Sequence, residues 1–173
     1  MKLLPAILAF GVAWGSLGPA MAAGFAVGEQ GSASLGVAGA QTAVVTSVDA
    51  GFYNPAMYAL RDGLSASAGV ALISASLTHE HDGNRTDTEP GLGTPPYVYV
   101  GYGHRIQGLR LGANLSFGAP FGAGLHWPAG WDGRYEVTAI ELSVLEVGSN
   151  LSVGYSTGPM KVGVAVGPRF QFS

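Results

Sequence analysis

His79-Glu80-His81-Asp82 is the sharpest cluster of reactive side chains in the chain. On an extended backbone His79 and His81 fall on one face, and with a carboxylate they could chelate a divalent metal. Zinc usually takes three or four protein ligands, and only His104 and His126 remain as further imidazoles. The cluster therefore reads as a charged loop tip, and no metal site is expected. A hydrolase would need a serine, a histidine and an acid in one constellation. Ser116 and His126 are candidates, but no Gly-x-Ser-x-Gly elbow accompanies them, so no catalytic residue and no cofactor are expected. Asn84-Arg85-Thr86 has the form of a glycosylation sequon, and the tripeptide by itself carries no information about function. Phe25, Phe117 and Phe121 offer apolar contact to a ligand; for Phe117 the alternation of its neighbours favours exposure to lipid.

The elements that must hold these residues are those of an exported protein. Lys2 precedes an apolar run from Leu3 to Leu17, and Ala20-Met21-Ala22 has the small-x-small pattern of a signal-peptidase site. Residues 1–22 read as a signal peptide, because the run is shorter than the roughly 20 residues a membrane-crossing helix needs. The signal holds one of the 8 basic side chains and none of the 11 acidic ones, so the remainder is acidic and has no basic patch for nucleic acid. Only 11% of residues are charged while 47% are hydrophobic, against about 25% charged in a soluble domain; something other than water faces much of this surface. There are no cysteines to staple the fold, and the 28 glycines follow no collagen triplet.

From Gly63 onward the pattern has period 2. Leu109, Leu111, Ala113, Leu115 and Phe117 alternate with Arg110, Gly112, Asn114, Ser116 and Gly118, and Met160 to Phe172 repeats the theme with Lys161, Arg169 and Gln171 on its polar face. Leu64 to Thr78, Tyr97 to Arg105 and Ile140 to Ser156 read as further strands; the apolar parity switches between Val144 and Leu145, which suggests a bulge or a misplaced strand start there. Expected connections run long (His79 to Pro96), short (Ile106-Gln107-Gly108), long (Gly118 to Thr138) and short (Thr157-Gly158-Pro159), as in a barrel with extracellular loops and periplasmic turns. A soluble sandwich shares the alternation but not this rhythm. Tyr97, Tyr99, Tyr102, Trp127, Trp131 and Tyr135 fall near strand ends, where aromatic girdles sit. The polar-face residues Arg110, Asn114, Lys161, Arg169 and Gln171 are expected to line a lumen. Residues 23–62 do not alternate, are rich in Gly, Ala and Ser with a helix-like stretch near Ala56 to Arg61, and read as a segment folded inside or beneath a barrel.

Ala23-Gly24-Phe25, Gly31-Ser32-Ala33-Ser34-Leu35-Gly36 and Asp49-Ala50-Gly51-Phe52-Tyr53-Asn54-Pro55-Ala56, leading into the first strand, resemble the start of the FadL family of outer-membrane hydrophobic-compound transporters. The similarity continues through Gly112-Ala113-Asn114-Leu115-Ser116, Pro120-Phe121-Gly122 and Asn150-Leu151-Ser152-Val153-Gly154-Tyr155. The resemblance implies an all-β, antiparallel transmembrane β-barrel of fourteen strands plugged by an N-terminal hatch. It implies loops that capture long-chain fatty acids or monoaromatic hydrocarbons, hatch movement that lets them inward, and release sideways at a kink in the third strand. By residue match Phe25 would sit at the hatch N-terminus, Asn54 and Pro55 at the hatch-to-strand junction, and Gly122, next to Phe121, at the kink.

The expected organisation is thus a signal peptide (1–22), a hatch (23–62) and a partial barrel (63–173). About five strands fit after Gly63, whereas barrels of this kind use even counts from eight upward, so the chain reads as the N-terminal portion of a longer protein, monomeric when full length. The expected function is passive transport of hydrophobic small molecules at the bacterial outer membrane, in contact with its lipid and without nucleic acid, metal or catalysis. The alternative is a structural or adhesive outer-membrane barrel, or a barrel enzyme.

Overall fold

The computed structural model describes residues 26–28, 30–43, 46–157 and 160–173. The expected signal peptide and Phe25 lie outside the described residues, as do Gly158 and Pro159 of the last turn. The chain is mostly antiparallel sheet: β1 (Gly63–Val70), β2 (Thr78–His81), β3 (Asn84–Asp87), β4 (Pro96–Ile106), β5 (Leu109–His126), β6 (Ala139–Thr157), β7 (Met160–Val166) and β8 (Arg169–Phe172). The main sheet runs β1-β4-β5-β6-β7, with β8 also on β6, and β2 and β3 form a separate hairpin. Val166 pairs with Leu151 and Arg169 with Gly148, a single unbroken register. β7 and β8 are therefore two ends of one strand, interrupted at Gly167-Pro168 where proline has no N–H to give the ladder. β4 and β5 are joined by Gln107 (φ 46°) and Gly108 (φ 92°) between the paired Ile106 and Leu109, the two-residue turn whose twist suits a hairpin.

Four expectations need correction. The first strand does not run to Thr78: its ladder ends at Val70, Ala71 and Ile73 still donate to Pro95 and Gly93, and Thr78 belongs to the β2–β3 hairpin inside the expected loop. Pro95 and Pro96 cannot donate back, which thins the pairing there. The segment from Gly118 to Thr138 is not all loop, because β5 continues to His126 with Phe121, Ala123 and Leu125 paired to Val144, Leu142 and Ile140. The bulge sits not on β6, where the parity switch lies, but opposite it on β5, between Gly118 and Phe121. Tyr97 and Tyr99 do not join a girdle at the outer face; they point inward, and Tyr99 is 1% exposed.

Against the inner face lies the N-terminal segment, with a short helix α1 (Ser32–Gly36) and two 3₁₀ turns, η1 (Asp49–Phe52) and η2 (Pro55–Leu60). Asp49 Oδ2 accepts from the Ala33 and Ser34 N–H groups at the start of α1, 3.1 Å each. Asn54 caps η2 by accepting from Ala56 N (3.2 Å) and donates to Thr42 O (2.8 Å), with Pro55 in the first helical position. Ala50, Met57 and Tyr58 form the buried centre of this segment, with the Tyr58 hydroxyl donating to Val48 O at 3.0 Å. Burial pushes its pKa up to about 12.

The inner face accommodates η2 because it is nearly bare. A Cβ on Gly101 would land inside the Tyr58 ring, and one on Gly112 would meet the backbone of Tyr58 and Ala59. Two arginines fasten the segment. Arg110 donates from Nε to Ala59 O (2.9 Å) and from Nη2 to Asp62 (2.7 Å), while Arg169 bridges Glu146 (2.9 Å) and Phe52 O (3.2 Å).

Candidate functional site

The bulge reorganises the wall around it. From Leu109 to Gly118, β5 pairs with β4 on one side and β6 on the other. Gly118 still faces Glu146, but two residues, Ala119 and Pro120, then oppose the single Leu145 before Phe121 meets Val144. The extra residue swaps the faces of β5. Below the bulge the odd-numbered residues Leu109 to Phe117 point outward; above it Phe121, Ala123 and Leu125 lie on the side of Glu146, the inner side. β6 keeps its parity, so its own sequence supplies the matching change: Ile140, Leu142 and Val144 are inner, whereas Leu145, Val147, Leu151 and Val153 are outer. Apolar-out and polar-in below becomes apolar-in above, with Gly122, Gly124, His126, Glu141 and Ser143 outside.

At the same level β4 ends. Its first residue, Pro96, follows Pro95, and the pairing of β4 with β5 stops at Tyr97 and Gly118; beyond it that edge of β5 is met by Ala26, which bridges Phe121, by Val27 N, which donates to Pro120 O at 2.8 Å, and by Glu89 N, which donates to His126 O at 2.8 Å. A cavity of about 410 Å³ occupies the gap, lined by Ile73, Leu92, Pro95 and Pro96 on one side and by Phe121 to Gly124 and Leu142 to Leu145 on the other. Consecutive residues of β5, Phe121 to Gly124, line it together with Val27 of the N-terminal segment. Its rim carries His126, whose Nε2 lies 3.3 Å from Glu141.

Of the residues singled out from sequence, Phe121 and Gly122 line this cavity. Gly122 does not have a positive φ, and its Cβ would make only ordinary contacts, 3.6 Å to Leu142 O and 3.8 Å to Val27 Cγ2. The backbone there is open to other residues, and glycine leaves the space a side chain would fill. Asn54 and Pro55 cap η2, away from the gap. Ser116 and His126 are ten residues apart on one strand, roughly 33 Å at strand rise, and so form no catalytic pair. His79 and His81 stack at 6.2 Å between ring centroids, and His79 also packs edge-on against Trp131 at 5.5 Å. Among the described residues no group of three or more His, Cys, Asp or Glu converges as metal ligands would. Trp127 and Trp131 stack on each other at 4.2 Å in the loop after β5.

Sequence reasoning missed Val27, Ile73, Leu142 and the Pro95-Pro96 pair. The paired prolines ahead of an alternating run were the available signal for a strand that stops pairing. Of the polar-face residues, Asn114 is buried with neither side-chain polar atom partnered, Ser152 Oγ is likewise unpartnered, and Lys161 is exposed.

The family model described as outer membrane protein transport protein (OMPP1/FadL/TodX) matches residues 16–171. No curated protein and no solved structure matches the chain. Among the described residues no helix is long and apolar enough to cross a membrane. The chain belongs to the OMPP1/FadL/TodX family of outer-membrane transport proteins, and that membership implies transport of hydrophobic compounds.

Proposed function

We propose that residues 63–173 form part of the wall of a transmembrane barrel, that residues 23–62 are its hatch behind a signal peptide at 1–22, and that hydrophobic small molecules leave sideways through the gap at the bulge. The observation that carries this is the cavity beside the end of the β4–β5 ladder, at the level where the faces invert. The stretch of β5 paired on both sides, Leu109 to Gly118, has the length of a tilted crossing, about 9–11 residues, and its outer face is apolar. Above it the apolar face turns inward and can take a greasy ligand out of water, at about 0.8 kcal/mol per buried methylene. A molecule sliding from that inner surface through the gap meets lipid at the upper edge of the apolar band, past the rim that His126 and Glu141 share, with no chemistry required. The ligand class follows the family: long-chain fatty acids or small aromatics, carried by a monomeric full-length barrel.

Gly122→Val tests this. The substituted side chain fits beside Val27 but projects into the gap, so uptake of a long-chain fatty acid and of toluene by cells at matched surface abundance should fall while heat-modifiable assembly is kept. Undiminished uptake of both compounds would remove the gap from the route.

A further inference from the structure

Residues 71–95, between β1 and β4, form a hairpin arm whose two limbs run side by side. Ala71 N donates to Pro95 O at 3.1 Å, Ile73 and Gly93 exchange both backbone hydrogen bonds (2.9 and 2.7 Å), and Thr88 N donates to Leu77 O at 2.9 Å while its Oγ1 accepts from Leu77 N at 3.0 Å. β2 and β3 carry the pairing on to Asp82 and Gly83, both at positive φ, which close the tip as a two-residue turn. Ile73, Leu92 and Pro95 of the arm line one side of the cavity, opposite Phe121 and Ala123. Past the cavity the arm returns to β5: Glu89 N reaches His126 O, and a Cβ on Gly91 would lie only 3.3 Å from Gly124 O, an approach that suits a bare backbone. At the other end of the cavity the β4–β5 ladder stops, and the Gln30 side chain donates to Val27 O and Ala119 O, both at 3.0 Å. Arm and β5 therefore frame the cavity between them.

Rings hold the tip of the arm. His79 packs edge-on against Trp131 (5.5 Å between centroids) and Trp127 (6.3 Å), with His81 stacked beside it. The tryptophans make a firm anchor. Trp131 is buried, its Nε1 donates to Val137 O at 2.9 Å, its ring lies where a Cβ on Gly133 would be, and Trp127 stacks on it. The charges of the tip are spent within the hairpin, Arg85 on Glu80 and Asp87, Asp82 on His81, which leaves the ring contacts to dock it.

We propose that residues 71–95 are a framing arm latched by His79 on the Trp127–Trp131 pair, and that this latch sets how bulky a hydrophobic molecule the cavity admits. This rests on the lateral route proposed above and adds its selectivity. His79 does not line the cavity; it is a positioning residue that acts through the arm. With the tip released, Ile73 and Leu92 are held by their own hairpin and by the Glu89 bond, so the frame can widen while the β4–β5 ladder stays intact.

The chain has no cysteine, so Ala123→Cys, in the cavity wall, reports access to the cavity by a membrane-impermeant maleimide on intact cells expressing the full protein. His79→Ala should raise the labelling rate about tenfold, as expected for losing two edge-to-face ring contacts from a two-state closure. His79→Phe keeps a ring in place and should restore slow labelling. At matched surface abundance, uptake of phenanthrene relative to toluene should rise several-fold in His79→Ala and return to the natural ratio in His79→Phe. Labelling unchanged by His79→Ala would overturn the latch. Faster labelling with an unchanged uptake ratio would overturn the selectivity where Gly122→Val still lowers uptake, and the lateral route itself where it does not.

Discussion

Below the bulge and above it, β5 and β6 are the same two paired strands with opposite amphipathy. The lower half presents Leu109, Leu111, Leu115, Val147, Leu151 and Val153 outward and glycine, serine and asparagine inward, where η2 lies almost backbone to backbone with Gly112. The upper half presents Phe121, Leu125, Ile140 and Val144 inward and His126, Glu141 and Ser143 outward. The lower half is thus apolar outside and packed against the N-terminal segment inside, and the upper half is polar outside and apolar inside. One extra residue on β5, matched by a change of composition in β6, makes the switch, and the β4–β5 ladder ends where it happens.

The same substitution on both sides should separate the halves most strongly. In Gly112→Val the new side chain collides with backbone and with Ser152 Oγ, at a cost of about 1–3 kcal/mol or more for overpacking. Proteolysis of residues 26–62 in assembled protein should accelerate accordingly. Gly124 has nothing within 4 Å of its Cβ position, so Gly124→Val should leave proteolysis unchanged; equal effects would dissolve the comparison. A smaller effect is expected from Arg110→Ala. Asp62 is 72% exposed and contributes little to the pair, but the buried Ala59 carbonyl loses a charged donor, which costs about 1.5–3 kcal/mol, readable as a lowered melting temperature in detergent.

The smallest effect is one of pH. Tyr58 ionises near pH 10 in the unfolded chain and near 12 when packed, so the native state holds its proton longer. That stabilisation is complete below pH 10 and disappears as pH rises through about 12. Melting temperature should therefore fall more steeply with pH over that window in the natural protein than in Tyr58→Phe; parallel curves would mean that burial of the phenol has no energetic consequence.

Much of the lower half was legible because period 2 is a local signal: Leu109 to Phe117 and Met160 to Phe172 declare their faces residue by residue, and the helix-like stretch near Ala56 to Arg61 falls on η2. The upper half was hidden by the event that defines it. A bulge on β5 leaves its trace as a parity change in β6, at Val144 and Leu145, and only the pairing reveals which strand carries the extra residue. Beyond Gly118 the alternation restarts one position out of step, so Phe121, Ala123 and Leu125 resembled a loop. Tyr97 and Tyr99 were misplaced for a related reason: aromatics near a strand end fit a girdle, but their parity with Gly101 and Gly103 puts them inside, beneath Gln30 and beside Tyr58. Gln30 had no signature at all, since its partners are carbonyls freed by a distortion elsewhere in the chain.

The central claim, that hydrophobic molecules travel on the upper inner face and through the gap, is most directly tested by photolabelling. An aliphatic diazirine supplied to intact cells and irradiated in place would be mapped by peptide mass spectrometry. Adducts should concentrate on Phe121, Ala123, Leu142 and Ile73 and diminish in Gly122→Val. Labelling confined to the outer apolar band, with those four residues bare, would contradict the account.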